Sequence, residues 1–302
     1  LRSISRALPF SIRRRRLILG FACLTVLLFS GCSHVQWQPA GAAIGAPALN
    51  EDHVLTADGY RLPLHRWLPS GEIKAVVLGL HGFNDYGNSF HYLREGVVED
   101  GNVAIYAYDQ RGFGATKRPG IWAGQDTLVD DARTVAILLR ARYPHQPIFL
   151  IGESMGAAVV LLALADANSM PVDGAVLIAP AVWGTDAMPW YQRFSLWLAV
   201  RLMPGKYFSS DTVRRMGKRA TDDADIMREL SRDPLVLKGA RVDTLHGLSE
   251  LMREASRVVS LSVPAQILYG LNDQIIPPEP VCNWLGRLTQ SSPTGMRIVL
   301  YP

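Results

Sequence analysis

From about residue 53 the chain alternates between short apolar runs and longer stretches whose apolar positions recur at helical spacing. Val54 to Thr56 and Arg61 to Trp67 flank Asp58-Gly59, a turn pair that predicts a hairpin. Lys74 to Leu80 (KAVVLGL), Val103 to Tyr108 (VAIYAY) and Ile148 to Ile151 are apolar on both faces, as buried strands should be. Gly174 to Ala179, Ala265 to Tyr269 and Met296 to Tyr301 read the same way. Between them, Phe90 to Asp100, Asp126 to Tyr143 and Met155 to Ala167 read as helices. In the second of these, Leu128, Ala132, Val135, Leu138 and Leu139 form one apolar stripe. Regular strand and helix alternation predicts an α/β fold: a mostly parallel sheet covered by helices on both faces.

One stretch breaks the rhythm. Residues 183 to about 258 contain no convincing strand, but they do contain Trp183, Trp190, Tyr191, Phe194, Trp197 and Leu198. A helical insertion of this size is expected to sit over the sheet as a cap. Its aromatic face either lines an acyl-chain site or packs the cap onto the core.

The N-terminus has a different character. Arg13 to Arg16 precede the apolar run Leu17 to Ser30 and then Gly31-Cys32, the order of a secretory signal peptide. The run is shorter than the roughly 20 residues that span a bilayer. Ser30-Gly31-Cys32 resembles the end of a bacterial lipobox, with Phe29 where that pattern usually has Leu. Cys32 is therefore expected to carry a lipid that anchors the chain to a membrane of the cell envelope; in a plain signal peptide it would be incidental. Residues 33–50 are rich in Gly, Ala and Pro and read as a tether, which leaves 51–302 as the globular domain.

Charge changes the picture only by its location. The net charge is +4, yet Arg2, Arg6 and Arg13 to Arg16 lie before the first acidic residue, Glu51. The body is slightly acidic, so the sequence predicts no nucleic-acid partner. Cys282 is left without a disulfide partner once Cys23 and Cys32 are assigned to the leader, and it reads as a buried, inert thiol. No His pair sits at ligand spacing and no P-loop is present, so no metal or phosphate site is expected.

Three segments carry chemistry. Gly152-Glu153-Ser154-Met155-Gly156 places G-x-S-x-G between an apolar strand and a helix, where a sharp turn exposes a nucleophile. The alternative is a structural tight turn. Leu80-His81-Gly82-Phe83-Asn84 ends an earlier strand, and the Phe83 and Met155 N–H groups are the expected oxyanion donors. His81 more plausibly shapes this loop than acts as a base. Asn272-Asp273 follows the strand ending at Tyr269; Asp273 either orients a catalytic histidine or caps the next helix.

Together HGF, GESMG, YDQRGFG (Tyr108 to Gly114) and LYGLNDQIIP make the chain, from about Leu55 to Pro302, resemble the monoacylglycerol lipase and lysophospholipase group of α/β-hydrolases. The resemblance implies hydrolysis of fatty-acyl carboxylic esters by Ser154 through an acyl-enzyme, with Asp273 in the triad and no cofactor. An acyltransferase or a general carboxylesterase would use the same residues. The family's histidine follows the final strand, whereas all seven His here precede Asp273, and His246 lies in the cap. The expectation is that the sequence stops just short of its general base. A non-catalytic, envelope-anchored binding protein is the reading from another class.

Overall fold

The computed structural model describes residues 34–165, 170–210, 221, 223–291 and 295–302. The leader and Cys32 lie outside the described residues. The central sheet has nine strands in the order β1-β2-β3-β5-β4-β6-β7-β10-β11. Its strands are β1 (Ala48–Leu49), β2 (His53–Leu55), β3 (Arg61–Trp67), β4 (Ala75–Leu80), β5 (Val103–Tyr108), β6 (Ile148–Glu153), β7 (Gly174–Ile178), β10 (Ala265–Gly270) and β11 (Met296–Tyr301). β1, β2 and β3 are antiparallel, and every pairing from β5 to β11 is parallel.

The parallel strands match the apolar runs because helices cover both faces. α1 (Gln125–Arg142) buries Leu128, Ala132, Val135 and Leu139. α2 (Met155–Leu164) is buried nearly all round, which its unbroken apolar sequence requires. The segment expected to be one helix from Phe90 is instead a 3₁₀ stretch, Gly87–Leu93, running into a π-helical one, Arg94–Glu99.

The cap departs from expectation in three ways. It holds two antiparallel strands, β8 (Tyr207–Ser209) and β9 (Gly239–Arg241), each too short to leave a sequence period, with α4 (Ala224–Arg232) between them in the chain. α5 (Val242–Ala255) buries Leu251, Met252 and Ala255 in the main core. The aromatic side chains of α3 (Trp190–Leu202) pack onto neither the core nor a closed site: Trp190, Tyr191, Phe194, Trp197 and Leu198 are all exposed. Trp183 alone of that group packs against the core.

Two further expectations are corrected. Residues 36–41 do not hang free as a tether. Gln38 is buried, its N–H donates to Trp122 O at 2.9 Å, and its amide donates to Arg118 O at 2.9 Å and to Ile121 O at 2.5 Å. The Gln36, Ala40 and Gly41 N–H groups reach Asp243 Oδ2, Thr127 Oγ1 and Asp58 Oδ2. Gly, Ala and Pro content marks a segment without its own periodicity, and such a segment can still bond along a ready-made surface. Cys282 is exposed on α6 (Pro278–Ser291), because the buried stripe there is Val281, Trp284, Leu285 and Leu288. Cys282 falls just off it.

Candidate active site

Ser154 sits between the end of β6 and the start of α2, with φ 51° and ψ −110°. A non-glycine residue pays for such a backbone in strain, and turns of this kind concentrate where a side chain must be held out from the sheet. The local sequence permits the turn through its glycines. A Cβ on Gly156 would collide with the Leu80 carbonyl oxygen, and one on Gly152 would lie 2.7 Å from the Ala157 backbone nitrogen. The turn is tied down by the Ser154 N–H, which donates to Ile178 O at 2.9 Å, and by the Ser154 carbonyl, which accepts from Ala158 N and Ala181 N.

The loop after β4 runs beside it. A Cβ on Gly82 would lie 3.7 Å from Ser154 Cβ, so the His81-Gly82-Phe83 backbone passes within contact range of the serine. Met155 is the first residue of α2, so its N–H has no acceptor within the helix. Phe83 packs edge-on against Phe113, its ring centroid 5.5 Å away.

His81 holds this loop in place. It is fully buried, its Nδ1 lies 2.8 Å from Gly82 O, and its Nε2 accepts the Gln110 N–H at 2.9 Å. The pattern demands a neutral ring protonated on Nδ1. Burial, opposed by the Gly82 carbonyl, pushes its pKa down to about 4. With both nitrogens engaged, His81 is no proton acceptor for Ser154. His246, on α5, has a buried Nδ1 with no hydrogen-bond partner and no bond linking it to the serine turn.

Asp273 follows β10 and is half-buried. Its Oδ1 accepts from Ile275 N at 2.7 Å and Ile276 N at 3.0 Å. It therefore caps the next turn, which leaves Oδ2 for another donor. Sheet register brings the pieces to one edge: Glu153 pairs with Ile178, Ile178 with Leu268, and Gly270 with Tyr301. Ser154, Asp273 and the end of β11 all emerge at the carboxyl ends of parallel strands, where such sheets place their ligands. Strands β6 and β10 flank β7, a separation of about 10 Å.

Sequence reasoning missed the polar groups beneath this edge. Tyr86 OH donates to Asp233 Oδ2 at 2.6 Å and Leu237 N donates to Asn84 O at 2.8 Å, so the cap is fastened to the loop beside Ser154. Burial, with help from Asp233 and Asp109, pushes the Asp85 carboxyl up to about 6, and burial also raises Glu153. Burial alone would raise Asp109 too. There, bonds from His65 Nε2 and from the Ala115 and Gly87 N–H groups outweigh it and hold the carboxyl below the usual range. Arg111 bonds both Asp58 and Asp131. No group of His, Cys, Asp or Glu that could hold a metal occurs among the described residues.

A Schizosaccharomyces pombe protein is 27% identical to this chain over 213 residues, 67% of this chain and 54% of its own length. The chain thus spans about half of that relative. A monoacylglycerol lipase of Mycolicibacterium smegmatis is 25% identical over 225 residues, 72% of this chain and 77% of the relative. A soluble variant of Saccharomyces cerevisiae monoglyceride lipase, solved with a substrate analogue, superposes with TM-score 0.65 at 18% identity, covering 88% of this chain and 89% of that one, which shows the shared fold. Residues 71–302 match the family Hydrolase_4, described as serine aminopeptidase, S33, and the chain belongs to this family of α/β-hydrolases.

Proposed function

We propose that the protein is a serine hydrolase that cleaves carboxylic esters of fatty-acyl lipids of the monoacylglycerol or lysophospholipid type. One observation carries the reading: Ser154 occupies a strained strand-to-helix turn against the His81-Gly82-Phe83 loop. The names of the relatives support the substrate class.

In this mechanism Ser154 Oγ attacks the ester carbonyl and forms an acyl-enzyme. The N–H groups of Phe83 and Met155 bind the oxyanion. A general base takes the serine proton and returns it to the leaving alcohol, and Asp273, through Oδ2, is the carboxylate that would orient it. Water then releases the acid. Lipidation of Cys32 would keep the enzyme at the envelope, a reading that rests on the sequence of residues 13–32.

The test uses the purified full chain. A fluorophosphonate should label Ser154, located by peptide mass spectrometry, and monoacylglycerol should compete. No labelling of the folded protein would favour a non-catalytic binding protein. Faster turnover of an aminoacyl anilide than of any acyl ester would move the reading to a peptidase. Acyl transfer to glycerol in preference to water would make it an acyltransferase.

A further inference from the structure

The run Tyr108 to Gly114 (YDQRGFG) supplies no reacting group, yet Asp109, Gln110 and Arg111 follow one another in it and all three are buried. Consecutive polar side chains inside a fold are costly unless each is bonded. Arg111 is answered by Asp58 and Asp131. The other two turn to the loop that runs past Ser154. Asp109 Oδ1 accepts the Gly87 N–H at 2.9 Å. Gln110 takes hold of His81 twice: its main-chain N–H donates to the ring Nε2 at 2.9 Å, and its side-chain Nε2 donates to His81 O at 2.8 Å. Successive residues of one turn therefore grip the two ends of the loop. Phe113, in the same turn, meets the rings of His81 and Phe83 edge-on, at 5.6 and 5.5 Å.

This grip reaches the oxyanion donor through one peptide plane. His81 Nδ1 donates to Gly82 O at 2.8 Å, and the Asp85 N–H reaches the same oxygen at 3.3 Å. The Gly82–Phe83 peptide is planar and trans, so its N–H points opposite to its carbonyl. With the carbonyl held on the His81 ring, the Phe83 N–H must point away from that ring. It donates to no acceptor among the described residues. Where the ring sits thus decides where this donor aims, and Gln110 fixes the ring and the carbonyl of the same residue together.

The amide of Gln110 is used on one side only. Its Oε1 is buried and has no hydrogen-bond partner among the described residues. An unpaired buried acceptor is destabilising, and Leu or Met would fill the same space without one. The half of the amide that is bonded is the NH2, and it is bonded to His81.

We propose that Gln110 is a positioning residue for ester cleavage: by holding the His81 ring and carbonyl together it directs the Phe83 N–H at the oxyanion formed on Ser154. The proposal rests on the hydrolase reading above. Gln110 acts through His81 and the Gly82–Phe83 peptide.

The experiment compares the purified full chain with Gln110→Met and Gln110→Glu. A fluorophosphonate is applied over a range of concentrations, which separates the limiting rate of Ser154 labelling from the half-saturating concentration. Thermal unfolding shows that each variant is folded. Gln110→Met keeps the main-chain donor to the ring and loses the donor to His81 O. Its limiting rate should fall about tenfold or more with the half-saturating concentration unchanged within about twofold, because a misaimed donor acts on the transition state. In Gln110→Glu a protonated carboxyl can donate to His81 O and an ionised one cannot. The ratio of its limiting rate to that of the wild type should therefore fall about tenfold as pH rises and the carboxyl ionises. Taking the ratio at each pH sets aside His81, and Asp109 and His65 that act on it, since both proteins contain them. If Gln110→Met does not fold, the Gln110→Glu ratio decides alone. Wild-type limiting rates in the folded variants at every pH would overturn the proposal. A loss confined to the half-saturating concentration would also overturn it and place Gln110 behind the binding surface instead. A folded wild type that takes no label would overturn the hydrolase reading itself, and this proposal with it.

Discussion

Arg111 is a buried charge whose removal bears directly on stability. Its side chain is 1% exposed and forks between two carboxylates that are almost as buried, Asp58 and Asp131. Nη1 and Nη2 reach Asp58 at 2.8 and 3.2 Å; Nε and Nη2 reach Asp131 at 3.0 and 2.9 Å. The guanidinium also lies 4.0 Å above the Tyr60 ring. Arg111→Met keeps most of the volume and removes the cation, so two carboxylates lose their counter-charge inside the fold. Breaking a buried pair in this way costs about 3–5 kcal/mol. For a domain of this size that should lower Tm by roughly 10 °C. The pH dependence has a definite sign. In the wild type, burial would raise Asp58, but Arg111 and Thr56 hold it well below the usual range. Its contribution is therefore present above the unfolded pKa and is lost as pH falls through the folded one. In the variant both carboxyls titrate upward, so the variant regains stability as pH falls. Between pH 7 and pH 5 the Asp58 contribution is still complete, so the gap narrows through the variant's two carboxyls; Asp131, which burial already raises to about 6 in the wild type, offsets part of the narrowing. Urea unfolding at pH 7 and pH 5 measures it, with Arg111→Met/Asp58→Asn/Asp131→Asn as the control that should recover most of the loss. A cost below about 1 kcal/mol at pH 7, or a gap that widens toward pH 5, would refute the reasoning.

Other outcomes follow from the site and its surroundings. Ser154→Gly should abolish fluorophosphonate labelling and stabilise the fold by about 1 kcal/mol, because glycine adopts φ 51° without strain; calorimetry checks it. Gly156→Ala should cost about 1–3 kcal/mol or more in urea unfolding and reduce labelling of Ser154, because its methyl group would push the Leu80 carbonyl and the attached loop outward. Burial lowers the folded pKa of His81 from 6.5 to about 4, so the wild type should lose stability as pH falls between those values, by about 3 kcal/mol in all. His81→Asn should flatten that slope by about one proton, read from unfolding free energies across the range. Cys282 should react with maleimide in the native protein at the rate of an exposed thiol, mapped by peptide mass spectrometry.

The sheet was legible because parallel strands covered on both faces leave unbroken apolar runs, and β4, β5, β6, β7, β10 and β11 all lie where those runs fall. The serine turn was legible for a steric reason, since only glycine fits at 152 and 156. What escaped was whatever depends on which way a periodic face turns. The aromatic stripe of α3 has the same spacing whether it points toward the core or toward solvent, and here it points outward. Asp58-Gly59 announced a turn, and that strong local signal hid the second task of Asp58 as a partner of Arg111 across the fold. Asp273 shows the reverse economy. The two roles expected as alternatives share one side chain in part, since Oδ1 caps the next turn and Oδ2 stays available.

The docked N-terminal segment has a practical bearing on where this protein can be shortened. By its composition the globular body begins near residue 51, and a cut there would look harmless. It would strip the buried Gln38 from the Arg118 and Ile121 carbonyls and take the Ala40 N–H from Thr127 Oγ1 and the Gln36 N–H from Asp243 Oδ2. It would also take the Gly41 N–H from Asp58, loosening a carboxylate already balanced against Arg111. At about 1 kcal/mol for each bond, such a loss is a large share of the stability of an ordinary domain. The smallest self-sufficient version of the molecule therefore starts ahead of Gln36, well inside what composition marks as linker.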